Sequence, residues 1–253
     1  MATRTYHMTW LATAVLFLGI SGVSSAESVL SPYSHSFDDD TAGKLTLTSN
    51  LSPSNWYLRN KELDYTRVLR DSDQHHSASV QILKAGTGTA SFKVTLKVAP
   101  AMDYSSGAIS LHARASSLDL GGAWLDNEMG YRAEIWVGFD EKQVYKLRLY
   151  RGAKQLGPDT VITFNPSANQ MIHTFSLEGM PQANGELKLT SRLSDGKMHS
   201  ATASFTEAAA DVLKTGTYFG FKARITGSHN SLAARFNDFS VSAPLAASSS
   251  NTR

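Results

Sequence analysis

Apolar and polar residues alternate with a period of two over much of the second half of the chain, as half-buried strands require. The alternation is clean at 90–98, 107–114, 131–139, 144–150, 171–177, 187–193 and 198–205, and again at 217–224 and 234–241. Turn residues punctuate these runs. Asp140-Glu141-Lys142-Gln143 separates one pair, and Ser194-Asp195-Gly196-Lys197 carries the Asp-Gly of a tight hairpin. The pattern predicts an all-β fold, a two-sheet antiparallel sandwich that buries alternate residues of every strand. The predicted core holds Phe92, Val94, Leu96, Ile109, Leu111, Ile135, Val137, Leu147, Leu149, Leu187, Leu189, Phe219, Phe221, Phe236 and Phe239. Phe236 and Phe239 cannot both point inward from a regular strand, so a bulge is expected near Asn237. Ala-rich residues 207–214 are expected to form a short helix stopped near Gly216.

Two terminal segments read differently. Arg4, the apolar run at 10–20, and Ser24 and Ala26 before Glu27 have the layout of a cleavable signal peptide over residues 1–26. That makes export, to a periplasm or outside the cell, the expectation, with residues 27–242 as one β-sandwich domain. The run is short for a membrane span, and no other long apolar stretch follows. Residues 243–253, small and polar, read as a disordered tail.

The sequence has 253 residues with 24 basic and 22 acidic side chains and no cysteine. Removing Arg4 with the signal peptide leaves the charge near neutral, which argues against a general nucleic-acid binder. The absence of cysteine excludes thiol catalysis, cysteine metal sites and a disulfide framework.

The phase of the strands selects one face. With Leu111, Ala113, Ile135, Val137, Leu147, Leu149, Phe219 and Phe221 inward, the opposite face carries His112, Arg114, Arg132, Glu134, Trp136, Lys146, Arg148, Tyr150, Tyr218, Lys222 and Arg224. Aromatic rings stack on sugars through apolar contact, and Arg or Lys pairs with uronate or sulfate groups. If these strands share a sheet, the face suits a polysaccharide or oligosaccharide, including an acidic one.

Ser36-Phe37-Asp38-Asp39-Asp40 and Arg235-Phe236-Asn237-Asp238-Phe239-Ser240-Val241, with the middle strands at 130–135, 146–152 and 213–221, resemble the concanavalin A-like lectin/glucanase superfamily. The order is similar to laminin G-like modules and family 16-type glycoside hydrolases, over roughly residues 36–241. The resemblance implies a jelly roll whose concave sheet engages glycans, with a structural calcium site to which Asp38 and Asp238 could contribute oxygen ligands.

Catalysis is an open alternative. The family 16 Glu-x-Asp-x-x-Glu strand is not matched, because Trp136 follows Glu134 where the Asp belongs. Asp126, Glu128, Asp140 and Glu141 are the other nearby acids. Arg132-Ala133-Glu134-Ile135 resembles the Arg-x-Glu-Leu strand of family 7-type alginate lyases, and Tyr218-Phe219-Gly220-Phe221-Lys222 resembles their Tyr-Phe-Lys-Ala-Gly strand. This implies Arg132, Glu134 and Tyr218 as catalytic groups of a polysaccharide lyase or glycoside hydrolase; their Gln-Ile/Val-His strand has no clear counterpart, and His112, in Ser110-Leu111-His112, is the candidate histidine. Arg114, Trp136, Lys146, Arg148, Tyr150, Lys222 and Arg224 would then bind substrate. A structural cell-envelope protein without activity is the third reading. His75-His76 point apart on a strand and make a poor metal pair.

Overall fold

Phenylalanines from two sheets meet in the centre of the molecule. Phe221 lies 4.9 Å from Phe236 and 5.4 Å from Phe239, and Phe92 lies 6.4 Å from Phe219. The computed structural model describes residues 28–49, 56–68, 74–82, 91–101, 107–117, 130–137, 144–168, 171–225 and 231–243. Residues 1–26, expected to be a signal peptide, the residues from 244 onward, and the acids Asp126, Glu128, Asp140 and Glu141 lie outside them.

Among the described residues, seventeen strands form two sheets. The first contains β1 (Ser28–Val29), β3 (Thr46–Ser49), β6 (Gln74–Ile82), β8 (Gly107–Ala115), β9 (Tyr131–Val137), β10 (Tyr145–Arg151), β11 (Lys154–Gln155), β12 (Thr160–Val161) and β16 (Tyr218–Ile225). Its order is β1-β6-β16-β8-β9-β10-β11, with β3 on β6 and β12 on β10. The second contains β2 (Tyr33–His35), β4 (Trp56–Arg59), β5 (Glu62–Val68), β7 (Phe92–Ala101), β13 (His173–Pro181), β14 (Leu187–Ser194), β15 (Ser200–Glu207) and β17 (Ser231–Ser242). Its order is β15-β14-β13-β7-β17-β5-β4, with β2 on β17. Every pairing is antiparallel except β1 with β6.

Every core residue expected from the alternation is buried. The bulge in β17 falls where the Phe236/Phe239 spacing demands it: the register shifts between Asn237 and Ser240, and Asp238 takes a left-handed φ of 42°. Trp56 is core, 5.6 Å from Phe236 and 6.1 Å from Phe221, with its indole N–H donated to the Thr48 carbonyl at 3.3 Å.

One expectation about the elements changes. Residues 207–214 form no helix. Glu207 ends β15, and 208–211 make one turn closed by Asp211 N–H to the Ala208 carbonyl at 2.9 Å. Glu207 is anchored inside the sandwich by Tyr131 and Arg151, so tertiary contacts override the helix propensity of the alanines. Residues 74–82 form strand β6, which pairs with β16 over 74–81. Its alternation puts His76, Ala78, Val80 and Ile82 in the core, and His76 packs 5.9 Å from Trp56.

Candidate functional site

The ladder of the first sheet places nine of the expected residues on one face in three rows. Gly220, His112, Arg132 and Tyr150 stand in one row across β16, β8, β9 and β10. Lys222, Ser110, Glu134 and Arg148 form the next. Arg224, Ala108, Trp136 and Lys146 form the third, which Val161 of β12 extends. Directly opposed side chains on neighbouring strands lie on the same side and touch.

The face is far less open than alternation suggests. Lys222, His112 and Glu134 are 1% exposed, Arg132 2% and Arg224 8%. Toward β10 and β12 it opens: Trp136, Lys146 and Arg148 are partly exposed, and Val161 is 54% exposed.

In the closed part the charges hold one another. Glu134 Oε1 lies 3.2 Å from Arg132 Nε and 3.3 Å from an Arg224 terminal nitrogen. The Arg224 contact is a hydrogen bond, while the Arg132 contact is ionic without hydrogen-bond alignment. The Arg132 guanidinium sits 4.0 Å over the Tyr150 ring, a cation–π contact. Ser110 Oγ and His112 Nε2 are 2.8 Å apart. Burial is the largest influence on Tyr150 and raises the phenol pKa.

At the open margin one carboxylate that the sequence did not single out organises the cluster. Asp159 receives Arg148 Nε at 2.8 Å and its terminal nitrogen at 2.9 Å, a bidentate pair. Gln155 Nε2 donates at 2.8 Å, and Lys146 Nζ lies at 3.3 Å. These bonds, led by Arg148, pull the Asp159 carboxyl down to about 2. The Arg148 guanidinium lies 4.0 Å over the Trp136 ring, and Lys146 Nζ lies 5.3 Å from it. Cations and aromatics therefore pair with each other here.

Arg114 leaves the expected face. Gly220 opposes His112 while Tyr218 opposes Ala115, so β8 has an extra residue at this point. Arg114 takes a φ of 56° in this bulge. Its guanidinium donates to the Leu213 carbonyl at 2.6 Å and lies 5.6 Å over Phe92, a ring of the inter-sheet core. Tyr218, half-buried, stands beyond the same bulge, one row from His112.

Calcium at Asp38 and Asp238 is implied by the resemblance alone. Calcium needs several converging oxygens. Asp238 is ion-paired with Lys97 of β7. Asp39 Oδ1 accepts from Thr41 Oγ1 at 2.7 Å, Asp40 Oδ1 accepts from Lys61 N–H at 2.7 Å, and Asp38 is exposed. Among the described residues no group of three or more His, Asp or Glu could hold a metal ion. Among the described residues no helix is long and apolar enough to cross a membrane.

No family model and no curated protein sequence matches the chain. Solved structures do. A lectin from Bauhinia forficata in complex with GalNAc is similar at a TM-score of 0.56 and 13% identity, covering 84% of this chain and 98% of that one. Arcelin-5, a lectin-like defense protein from Phaseolus vulgaris, gives a TM-score of 0.54 at 14% identity, covering 85% and 99%. The exoplasmic/lumenal domain of VIP36, in a form bound to Ca2+ and Man3GlcNAc, gives 0.55 at 11% identity, covering 82% and 86%. The chain has the concanavalin A-like lectin fold, a two-sheet antiparallel jelly roll.

Proposed function

We propose that the chain is an exported glycan-binding domain that engages a polysaccharide at the β10–β12 margin of the first sheet. The carrying observation is the partly exposed cluster of Trp136, Lys146 and Arg148, flanked by the exposed Val161. An aromatic ring beside an aliphatic side chain offers apolar contact to a sugar ring, and the two cations offer charge-assisted bonds to uronate or sulfate groups. The buried rows behind them, from Arg132 to Arg224, stiffen the platform.

Several things support this reading. The structural neighbours include a lectin holding GalNAc and a domain holding Man3GlcNAc. The segment at 10–20, followed by Ala26, has signal-peptide layout, which fits export. Five Lys or Arg side chains face two carboxylates across the three rows, which favours an acidic polymer.

The test is glycan-array binding of the folded chain at low and high salt, beside Trp136→Ala. Binding to acidic glycans that weakens with salt and is lost in Trp136→Ala supports the assignment. Failure to retain any glycan, or retention unaffected by Trp136→Ala, overturns it.

A further inference from the structure

Asp159 owes its place to the ladder. Gly157, with a φ of 78°, and Pro158 turn the chain from β11 into β12. Pairing of Leu147 with Thr160 and of Lys146 with Val161 then brings the residue before Thr160 beside Arg148. Both oxygens of its carboxylate are engaged: Oδ1 by Arg148 Nε and Gln155, Oδ2 by the Arg148 terminal nitrogen and Lys146. Those four contacts occupy about all the lone-pair sites a carboxylate has. The carboxylate therefore has little capacity left for a sugar hydroxyl. The receptor around it, a planar fork with an ammonium and an amide donor, is what a uronate carboxylate or a sulfate ester would need.

We infer that Asp159 is a built-in counter-anion that occupies the anion subsite of the glycan-binding margin and so sets which acidic ligands it accepts. The inference rests on the glycan reading of that margin. Occupant and receptor lie at the surface: the Asp159 side chain is 26% exposed and is carried on a short turn. It is exchangeable in a way that the 2%-exposed Glu134 is not. A tethered carboxylate competes at an effective concentration on the order of millimolar. A single uronate monomer has to exceed that concentration. A polymer that presents many anions to the same margin displaces Asp159 more readily, so the site selects polyanions over monomers. Arg148 keeps its place over Trp136 in either state, because the stacking contact does not depend on which anion fills the fork.

The test compares the chain with Asp159→Asn on three probes: alginate as a polyuronate, dextran sulfate as a sulfated polymer, and dextran as a neutral control. Asp159→Asn is expected to bind one or both polyanions at least about tenfold more tightly at low salt, with the gain shrinking at high salt and dextran unaffected. Which polyanion gains identifies the anionic group. Adding Arg148→Ala to Asp159→Asn should erase the gain. Folded Asp159→Asn with unchanged or weaker polyanion binding overturns the inference. Should Asp159→Asn fail to fold, Gln155→Ala decides, since it loosens Asp159 without changing charge: a smaller gain supports the gate and none overturns it. If the unaltered chain binds none of the three polymers, the glycan reading falls and the gate with it. If it binds polyanions while Asp159→Asn shows no gain, the gate alone falls.

Discussion

The Tyr131 hydroxyl on β9 donates a hydrogen bond to Glu207 at the end of β15, tying the edge of one sheet to the other inside the sandwich. The same hydroxyl accepts the Leu213 N–H at 2.8 Å, and Arg114 donates to the Leu213 carbonyl. Arg151 lies 3.0 Å from the other oxygen of Glu207. The Tyr131 ring stacks on Phe92 at 5.8 Å. This network fastens residues 208–213 across the sandwich end, where a helix would otherwise be favoured. Tyr131→Phe keeps the stack but leaves a buried carboxylate oxygen and a partly buried N–H without this partner. It should cost about 1–3 kcal/mol in urea unfolding. Burial raises the Glu207 pKa above the ordinary carboxylate value. A raised folded value means that its contribution is full at acid pH and is lost as pH rises through that value. Glu207→Gln should flatten that limb of the stability profile.

Gly216 approaches the bulge so closely that a side chain does not fit. Its φ is 107°, and an added Cβ would stand 2.0 Å from the Arg114 carbonyl oxygen. Backbone, not a flexible side chain, blocks the space. Gly216→Ala should destabilise by more than about 3 kcal/mol, combining the strain of a φ that L residues avoid with displacement of β8. Chemical denaturation of the purified variant measures this, and an unaltered midpoint would refute the close approach.

The sandwich was legible because its strands keep period two, and even the β17 bulge follows from two phenylalanines three residues apart. Strand β6 was hidden because Ser77 and Ser79 face a buried surface, so the usual contrast between apolar inside and polar outside is missing. The three rows were legible in content, since phase alone separates Leu111 from His112. Their burial was not, because phase says which side a residue faces and nothing about what lies above it. Arg114 escaped because a bulge is a property of two strands, visible only when Gly220 is seen opposite His112. Asp159 escaped because its meeting with Arg148 depends on the short strand β12, whose two residues show no periodicity.

His173 makes stability sensitive to mild acid. Its Nε2 lies 3.0 Å from the Pro166 carbonyl, which can only accept, so Nε2 carries the hydrogen and Nδ1 is bare. The ring is buried and stacked 5.7 Å from Phe164; the far side of that cluster holds His199, paired with Asp195 at 2.8 Å. Protonation would bury a second N–H, and among the described residues Nδ1 has no hydrogen-bond partner. Burial accordingly lowers the pKa below the ordinary histidine value. A depressed folded value gives stability that is complete above about pH 6.5 and is lost as pH falls through the folded value. His173→Phe keeps the stack and should make the urea midpoint less dependent on pH below 6.5, although lower at neutral pH. An equally steep dependence in the variant would assign the effect to other groups.

Glu134 separates a structural role from a catalytic one. It lies between Arg132 and Arg224, all three nearly inaccessible, and a catalytic carboxylate has to touch its substrate. Removing one member of a buried ionic group leaves charge without its compensation, at a cost of about 3–5 kcal/mol. Glu134→Ala should therefore lower stability by that order in guanidinium unfolding. Glu134→Gln should cost less, because it keeps the shape and one acceptor oxygen. Glycan binding by the folded fraction of either variant should survive, since Lys146 and Arg148 of the β10–β12 margin pair with Asp159 and Arg148 stacks on Trp136. A Glu134→Gln chain as stable as the original that nevertheless loses its action on a polysaccharide would reverse the assignment and put the chemistry in the buried rows.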